Sequence, residues 1–271
     1  NENYWDPERP YLDGYRAVFI SGAPMVNALS AGEVLAEFRG HSPADADRIM
    51  QQLGDKGVRQ ESPWTCLLSV ALNVQKPPFD DIRVRQALSL AIDRWGGAEA
   101  LSRIALVRHV GGILRPGYEY AATDEELEAL PGFGRDVEAN RAEARRLLEE
   151  AGYPDLSFTF TNRNVPMPYT PVGVFLIDQW RRIGVTAEMQ LAETGEYFSR
   201  LREGNFEAAV DYNAASGDDP SEILLKYLPG SPSNFTHSDD PELKQIYDRQ
   251  FVELDEEARR TLVREFESRV Y

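Results

Sequence analysis

Residues 156–191 read LSFTFTNRNVPMPYTPVGVFLIDQWRRIGVTAEMQL, and this stretch predicts a strand, a helix and a second strand. Its first and last seven residues alternate apolar with polar side chains, which is the period of a half-buried strand. The intervening residues 171–184 have the apolar spacing of a helix and close on a glycine. A strand, a helix and a strand in this order are typical of a unit with parallel strands.

The alternation continues on both sides of this stretch. Residues 195–204 have a helical pattern, and residues 206–213 (FEAAVDYN) have the composition of a further strand. The same periodicities predict strands at 12–20 and 64–74, and helices at 24–34, 42–54, 138–153, 240–254 and 256–270. Residues 105–137, with five glycines and two prolines, are expected to be rich in loops. The sequence therefore predicts a mixed α/β fold.

Composition limits the classes of function. The 271 residues carry 29 basic and 45 acidic side chains, which gives a net charge of −16. Such a chain is repelled on average by nucleic acid and by anionic membrane surfaces. No apolar run reaches the length of a membrane span. The single cysteine, Cys66, has no internal disulfide partner, and its apolar neighbours predict a buried structural thiol.

The common catalytic motifs are missing from the sequence. It contains no GxxxxGK[ST] loop, no GxSxG elbow and no HExxH helix. Residues 132–137 (GFGRDV) lack the third glycine and the preceding strand of a dinucleotide site. The three histidines, His41, His109 and His237, have no ligand-like spacing. We therefore expect no catalytic residue, no metal site and no cofactor.

Adjacent acidic residues occur before three predicted helices, at Asp80–Asp81, Asp218–Asp219 and Asp239–Asp240. Carboxylates in such places satisfy the free backbone N–H groups at a helix start. Capping is therefore favoured, and a hydrolase with paired carboxylates remains as a less favoured alternative.

Residues 76–94 read KPPFDDIRVRQALSLAIDR and predict an amphipathic helix with a strong start. Two prolines prevent an earlier start, and Asp80 or Asp81 suits the N-cap position. Asp93 and Arg94 are expected to end this helix. Arginines without interleaved aromatic residues are poor evidence for nucleic-acid binding. The stretch is interpreted as scaffold.

This stretch resembles a motif of the peptide/nickel class (family 5) of extracellular solute-binding proteins, the receptors of ABC importers. In that family an asparagine is followed by PPF, an acidic pair, VRQAL and AIDR. Here Asn73 and residues 77–94 follow the same order. Similar segments occur in order along essentially the whole chain, namely NENYWDPERPYLDGYRAVFI, ALSAGEV, EARRLLEEAGYP, WRRIGVTAEM and GNFEAAV. The resemblance implies a periplasmic-binding-protein-like lobe (type II, cluster C) with a mixed sheet flanked by helices.

The resemblance also implies an organisation and a setting. Family members are nearly twice this length and have two lobes that close on a ligand. Residues 1–65 are then expected to be a remnant of the first lobe and the hinge, and residues 66–271 a C-terminally truncated second lobe. The resemblance implies a monomer in the periplasm or outside the cell. Attachment to the membrane as a lipoprotein is one form that such a protein takes. Its partners would be a small solute or peptide and an ABC transporter permease, and not nucleic acid.

Candidate ligand-binding residues follow from the fold. In open α/β sheets, ligands lie beyond the carboxyl ends of the strands. The predicted strand ends place Arg163, Tyr212 and Asn213 there. Arg163 is a candidate for a ligand carboxylate, and a plain surface arginine is the alternative. The resemblance adds Tyr169, whose position at the start of a helix faces the ligand in the family.

A departure from the family concerns the ligand's amino group. Ser216 stands where peptide-binding relatives have the aspartate that binds this group. A buried ammonium needs a paired charge, which a hydroxyl does not supply. Either the ligand lacks a free amino terminus here, or Asp218 takes the place of the missing aspartate. We favour the first interpretation.

Three functions remain open at this point. The first is a solute receptor for import without catalysis. The second is a peptide-binding chaperone or sensor on the same fold. The third, a carboxylate-based hydrolase, is disfavoured because nucleophile and metal motifs are missing.

Overall fold

The computed structural model describes residues 5–6, 8–9, 11–20, 22–38, 40–61, 66–105, 107–215 and 217–271. The chain divides into two compact units, Asn1–Gln60 and Glu61–Tyr271. The predicted division into lobes at residue 65 stays a prediction. Among the described residues, no helix has the length and apolar character needed to cross a membrane.

The described part of the first unit contains two helices, α1 (Ala23–Ser30) and α2 (Pro43–Leu53), and a 3-10 turn follows α2. Both helices were predicted. The hydroxyl of Ser42 accepts a hydrogen bond from the Asp45 N–H at 3.2 Å, which satisfies one free donor at the start of α2. The helix then ends at Gly54, as predicted.

The strand predicted at 12–20 is wrong. Residues 11–20 are described, and none of them belongs to a strand. Tyr15 and Phe19 are 91% and 98% exposed. A strand needs a neighbouring strand for its backbone groups, and the described part of Asn1–Gln60 contains none. Alternating side chains alone therefore do not produce a strand here.

The second unit is built on one four-stranded sheet. Its strands are β1 (Cys66–Leu72), β2 (Ser157–Arg163), β3 (Thr186–Ala192) and β4 (Ala208–Ala214), and their spatial order is β1-β4-β2-β3. Strand β2 runs parallel to β3 and β4, and β1 runs antiparallel to β4. The predicted mixed sheet is confirmed.

Helices cover both faces of the sheet. In chain order they are α3 (Ile82–Leu90), α4 (Arg94–Ser102), α5 (Asp124–Glu128), α6 (Val137–Ala151), α7 (Tyr169–Arg181), α8 (Thr194–Glu203), α9 (Ser221–Leu224), α10 (Pro241–Val252) and α11 (Glu256–Val270). The predicted helices of this unit are confirmed. Helix α6 ends at Gly152, whose left-handed φ of 84° favours glycine.

The main core lies between one sheet face and helices α3, α6 and α7. Trp180 of α7 packs edge-on against two strand residues, with ring centroids 5.4 Å from Phe158 and 4.9 Å from Phe160. Phe79 also packs edge-on against Phe158, with ring centroids 5.3 Å apart. A smaller core under α8 covers the opposite face. Burial on both faces explains the apolar run Ala208–Val210 at the start of β4.

The stretch 76–94 is scaffold. Asp81 caps α3, because its carboxylate accepts a hydrogen bond from the Arg83 N–H at 2.8 Å. The side chain of Asn73 donates to the backbone oxygens of Gly204 and Phe206, both at 3.1 Å. These bonds tie the end of β1 to the segment that leads into β4.

The expected end of α3 is wrong, since this helix stops at Leu90 and not at Asp93 and Arg94. Asp93 instead caps α4 and accepts a hydrogen bond from the Gly96 N–H at 2.9 Å. Arg94 donates to the backbone oxygens of Ser89 and Gly132 at 2.9 and 2.6 Å. The sequence AIDR therefore links two helices.

Replacing Asp93 with alanine tests this reassignment. We expect Asp93→Ala to lower the free energy of unfolding by about 1 kcal/mol, the usual cost of losing an N-cap. Asp80→Ala is the matched control, because Asp80 precedes α3 without capping it, and its effect should stay within about 0.5 kcal/mol. Urea unfolding measures both values, and equal losses would contradict the capping role of Asp93.

Candidate functional site

The carboxyl ends of β2, β3 and β4 meet at one edge of the sheet, because these strands run parallel. Three of the predicted site residues are linked there. The hydroxyl of Tyr169 lies 3.3 Å from Nη1 of Arg163. The ring of Phe198, on α8, lies 5.4 Å from the Arg163 guanidinium and 6.4 Å from the Tyr212 ring.

Arg163 presents a cation whose charge is not neutralised within the described part of the chain. Its Nε donates to the hydroxyl of Thr194 at 3.0 Å, and its Nη1 donates to the hydroxyl of Tyr169. Its guanidinium also lies over the Tyr169 ring, 5.2 Å from the centroid. Among the described residues, no carboxylate lies within ion-pair distance of this guanidinium. Neutral groups therefore orient this guanidinium and leave its charge available for an anionic group.

Tyr169 begins α7, where the sequence placed it, and its side chain is buried. The side-chain amide of Asn162 donates to the Tyr169 backbone oxygen at 2.8 Å, which holds the helix start against β2. Burial raises the pKa of Tyr169, although the hydrogen bond from Arg163 opposes this effect. The phenol therefore stays neutral and retains a proton to donate.

A buried ion pair next to this edge was missed by sequence reasoning. Lys226 Nζ lies 2.6 Å from the Asp211 carboxylate, and it also donates to the Tyr212 backbone oxygen at 2.5 Å and to Asn213 Oδ1 at 3.1 Å. Burial raises the pKa of Asp211, and the ammonium of Lys226 opposes this effect. An acid inside the apolar strand AAVDYN was a signal that a buried partner exists.

The side chain of Asn213 is already bonded within the protein. Its amide donates to the Ile113 backbone oxygen at 3.1 Å and to the Tyr227 hydroxyl at 2.7 Å, and its oxygen accepts from Lys226. Asn213 therefore holds neighbouring segments at the end of β4. Its direct contact with a ligand stays a prediction.

The loop after β4 carries the remaining candidates. Asp218 has a side chain that is 86% exposed, and its carboxylate lies 3.8 Å from Arg115. Ser216 lies outside the described residues. Asp219 accepts from the Ser221 N–H at 2.8 Å and pairs with Arg259 at 2.9 Å, although Pro220 holds the N-cap position of α9.

The prediction that all three acidic pairs cap helices is confirmed for two of them and is wrong for Asp218–Asp219, because Pro220 holds the N-cap position of α9. Asp81 caps α3, and Asp240 caps α10 by accepting a hydrogen bond from the Glu242 N–H at 3.0 Å. Among the described residues, no three His, Cys, Asp or Glu side chains are grouped in a way that would hold a metal ion.

A cavity of about 960 Å³ lies along β1, at the edge of the sheet. Asp211 and Lys226 line it, whereas Arg163, Tyr169 and Tyr212 do not. The cavity therefore reaches the carboxyl end of β4, where Cys66 pairs with Ala214, but it does not include the side chains around Arg163. We base the candidate ligand site on the carboxyl edge of the parallel strands, because the oriented and unneutralised guanidinium lies there.

Comparisons with known proteins agree with this fold. A family model described as bacterial extracellular solute-binding proteins, family 5 middle, matches residues 1–235. The di/tripeptide-binding protein 3 of Pseudomonas aeruginosa is 28% identical over 231 residues, which are 83% of this chain and 41% of that protein. The periplasmic oligopeptide-binding protein OppA of Escherichia coli is 29% identical over 203 residues, which are 73% of this chain and 36% of that protein.

Solved structures show the same fold. OppA of Burkholderia pseudomallei superposes with a TM-score of 0.74 at 22% identity, over 91% of this chain and 48% of that one. OppA of Haemophilus influenzae, in complex with RPPGFSPFR, gives a TM-score of 0.74 at 20% identity, over 90% of this chain and 48% of that one. The chain spans less than half the length of these relatives. The predicted periplasmic-binding-protein-like lobe is confirmed.

Proposed function

The chain belongs to the bacterial extracellular solute-binding proteins of family 5, and on this premise we propose that it is part of an ABC importer's receptor. The receptor binds a peptide or a related small solute and delivers it to the permease in the membrane. The similar proteins from Pseudomonas aeruginosa and Escherichia coli carry the names of di/tripeptide- and oligopeptide-binding proteins, which supports this proposal.

The proposal extends to organisation and setting. Residues 1–65 belong to the first lobe and hinge, and residues 66–271 belong to the second lobe. The protein acts as a monomer outside the cytoplasm, where a lipoprotein anchor would keep it near the permease. It binds its ligand without catalysis, and nucleic acid is not a partner.

One observation carries the binding role, namely the Arg163 guanidinium at the carboxyl edge of the parallel strands. Thr194 and Tyr169 orient it, and no described carboxylate neutralises it. An arginine of this kind recognises a carboxylate through paired hydrogen bonds. We therefore place a carboxylate of the ligand at Arg163, with the rings of Tyr169, Phe198 and Tyr212 beside it.

Calorimetry of the full-length protein with two defined peptides tests this role. N-acetyl-trialanine keeps the carboxylate but lacks a free amino group, whereas trialanine has both. We expect the acetylated peptide to bind at least as tightly as trialanine, because Ser216 offers no charge for an ammonium. A protein that binds neither peptide, and turns over chromogenic esters or glycosides, would contradict a receptor without catalysis.

Replacing Asp218 tests the alternative that this residue binds the amino group. We expect Asp218→Asn to change the affinity for trialanine by less than about 0.5 kcal/mol, the range of most surface substitutions. The reason is that the Asp218 side chain is 86% exposed. Asp239→Asn is the matched control on another exposed acid. A loss above about 2 kcal/mol for trialanine, with none for the acetylated peptide, would show that Asp218 pairs with the ammonium.

A further inference from the structure

Lys226 binds three consecutive residues of one strand. Its ammonium has three protons, and the acceptors are the Asp211 carboxylate at 2.6 Å, the Tyr212 backbone oxygen at 2.5 Å and Asn213 Oδ1 at 3.1 Å. The side chains of Lys226 and Asp211 are only 13% and 6% exposed. Every donor of the ammonium is therefore used inside the protein, and it has none left for a ligand.

The bonds of Lys226 connect the chain after α9 with the end of strand β4. Strand β4 ends at Ala214, and the chain returns to it at Lys226 after passing through Asp218 and α9. The next residue strengthens this contact, because the hydroxyl of Tyr227 lies 2.7 Å from Nδ2 of Asn213. We name residues 217–225 the return segment. Both of its ends are thus held at the carboxyl end of β4.

Stability alone does not explain such a pair. Taking two charges out of water is costly, and replacing a buried ion pair with apolar side chains of similar volume is often neutral or stabilising. The hydrogen bonds of Lys226 are directional, however, whereas apolar packing tolerates several arrangements. Three oriented bonds therefore fix the C-terminal end of the return segment against the end of β4, whereas Ile223 and Leu224 of α9 contribute apolar packing.

We propose that the Asp211–Lys226 pair is a positioning device that fixes the return segment at the ligand-facing edge of the sheet. This inference rests on the proposed function in one respect, since it takes the edge that holds Arg163 to be the binding site. Lys226 does not touch the ligand. It acts through the backbone of β4 and of the return segment, and it neutralises Asp211, so that the carboxyl edge keeps the positive charge of Arg163.

The double variant Asp211→Val/Lys226→Met tests the proposal. Valine suits a buried strand, and methionine replaces the lysine stem without its charge. We expect its midpoint of thermal unfolding to stay within about 4 °C of the wild-type value. We also expect amide hydrogen exchange at residues 217–225 to speed up about tenfold, and the affinity for N-acetyl-trialanine to fall about tenfold.

Two further variants sharpen the comparison. Lys226→Arg keeps the charge and the hydrogen-bond donors, and the cavity that Lys226 lines leaves room for the longer side chain. Amide exchange at residues 217–225 and the affinity for N-acetyl-trialanine should therefore stay at the wild-type values. Lys244→Met is the matched control, because Lys244 pairs with Asp248 at the same 2.6 Å but on an exposed face of α10, and neither measurement should change. Should the double variant not fold, Asp211→Asn keeps the shape but removes the negative charge that holds the Lys226 ammonium, and exchange should still rise at residues 217–225.

Unchanged exchange in the return segment of a folded double variant would overturn the proposal. Faster exchange with full affinity would overturn it as well, because the segment would then not contribute to binding. A wild-type protein that binds neither N-acetyl-trialanine nor any of a mixture of di- and tripeptides would contradict the proposed function, and the exchange comparison would still decide whether the pair fixes the segment.

Discussion

Replacing Trp180 with alanine should lower the free energy of unfolding by about 3–5 kcal/mol, the range for removing a large buried aromatic side chain. Trp180 is 0% exposed and packs against both Phe158 and Phe160 of β2. Its indole N–H also donates to the Leu88 backbone oxygen at 3.0 Å, which ties α7 to α3. The variant therefore loses core packing and leaves a buried carbonyl without its donor.

Two comparisons separate these losses. Trp180→Phe keeps an aromatic ring but loses the N–H, and we expect a smaller loss of about 1–3 kcal/mol. Val174→Ala is the control on the same helix, because Val174 is exposed, and its effect should stay within about 0.5 kcal/mol. Urea unfolding monitored by circular dichroism measures all three variants. A Trp180→Ala protein as stable as Val174→Ala would contradict the described core.

Replacing Arg163 with glutamine should weaken the binding of N-acetyl-trialanine by about 2 kcal/mol or more, the scale for removing one partner of a desolvated charge pair. The guanidinium is oriented by Thr194 and Tyr169 and has no described carboxylate partner, so its charge is available to the ligand. Calorimetry with the full-length protein measures the loss.

The C-terminal amide of the same peptide identifies the interaction, because it lacks the carboxylate. The amide should bind more weakly than the acid, and Arg163→Gln should leave its affinity nearly unchanged. The loss of binding free energy for the acid minus the loss for the amide then gives the coupling energy between Arg163 and the carboxylate. Arg200→Gln on α8 is the matched control, since Arg200 pairs with Glu196 and bonds Gln190. Equal losses for the acid and the amide would show that Arg163 acts through structure and not through its charge.

Much of the second unit follows from local sequence signals. Strands β1 to β4 and the longer helices have the expected periods, and capping residues such as Asp81 and Asp136 mark where helices begin. Local rules were insufficient where the outcome depends on a distant partner. Residues 12–20 alternate like a strand, yet no described strand of the first unit pairs with them. Asp93 was predicted to end a helix, whereas it begins the next one. A carboxylate between two helices also suits the N-cap position of the second helix, and the local sequence does not distinguish the two places.

The candidate site also combines features that the local sequence predicts with features that depend on distant residues. The carboxyl edge was predictable, because parallel strands place their ends together. The Asp211–Lys226 pair was not, because the two residues lie on different elements and only folding brings their charges to 2.6 Å. The hydrogen bonds of the Asn213 side-chain amide to Ile113 and Tyr227 could not be predicted for the same reason.

Native mass spectrometry of the full-length protein, purified from its host without refolding, decides whether this chain belongs to a solute receptor. A receptor that encloses its ligand should retain it during purification, so we predict a second mass that exceeds the apoprotein by one small carboxylate-bearing solute. The corresponding adduct should be lost from Arg163→Gln and retained in Arg200→Gln. A single apoprotein mass in the wild type, unchanged after incubation with N-acetyl-trialanine and a mixture of di- and tripeptides, would contradict the receptor function.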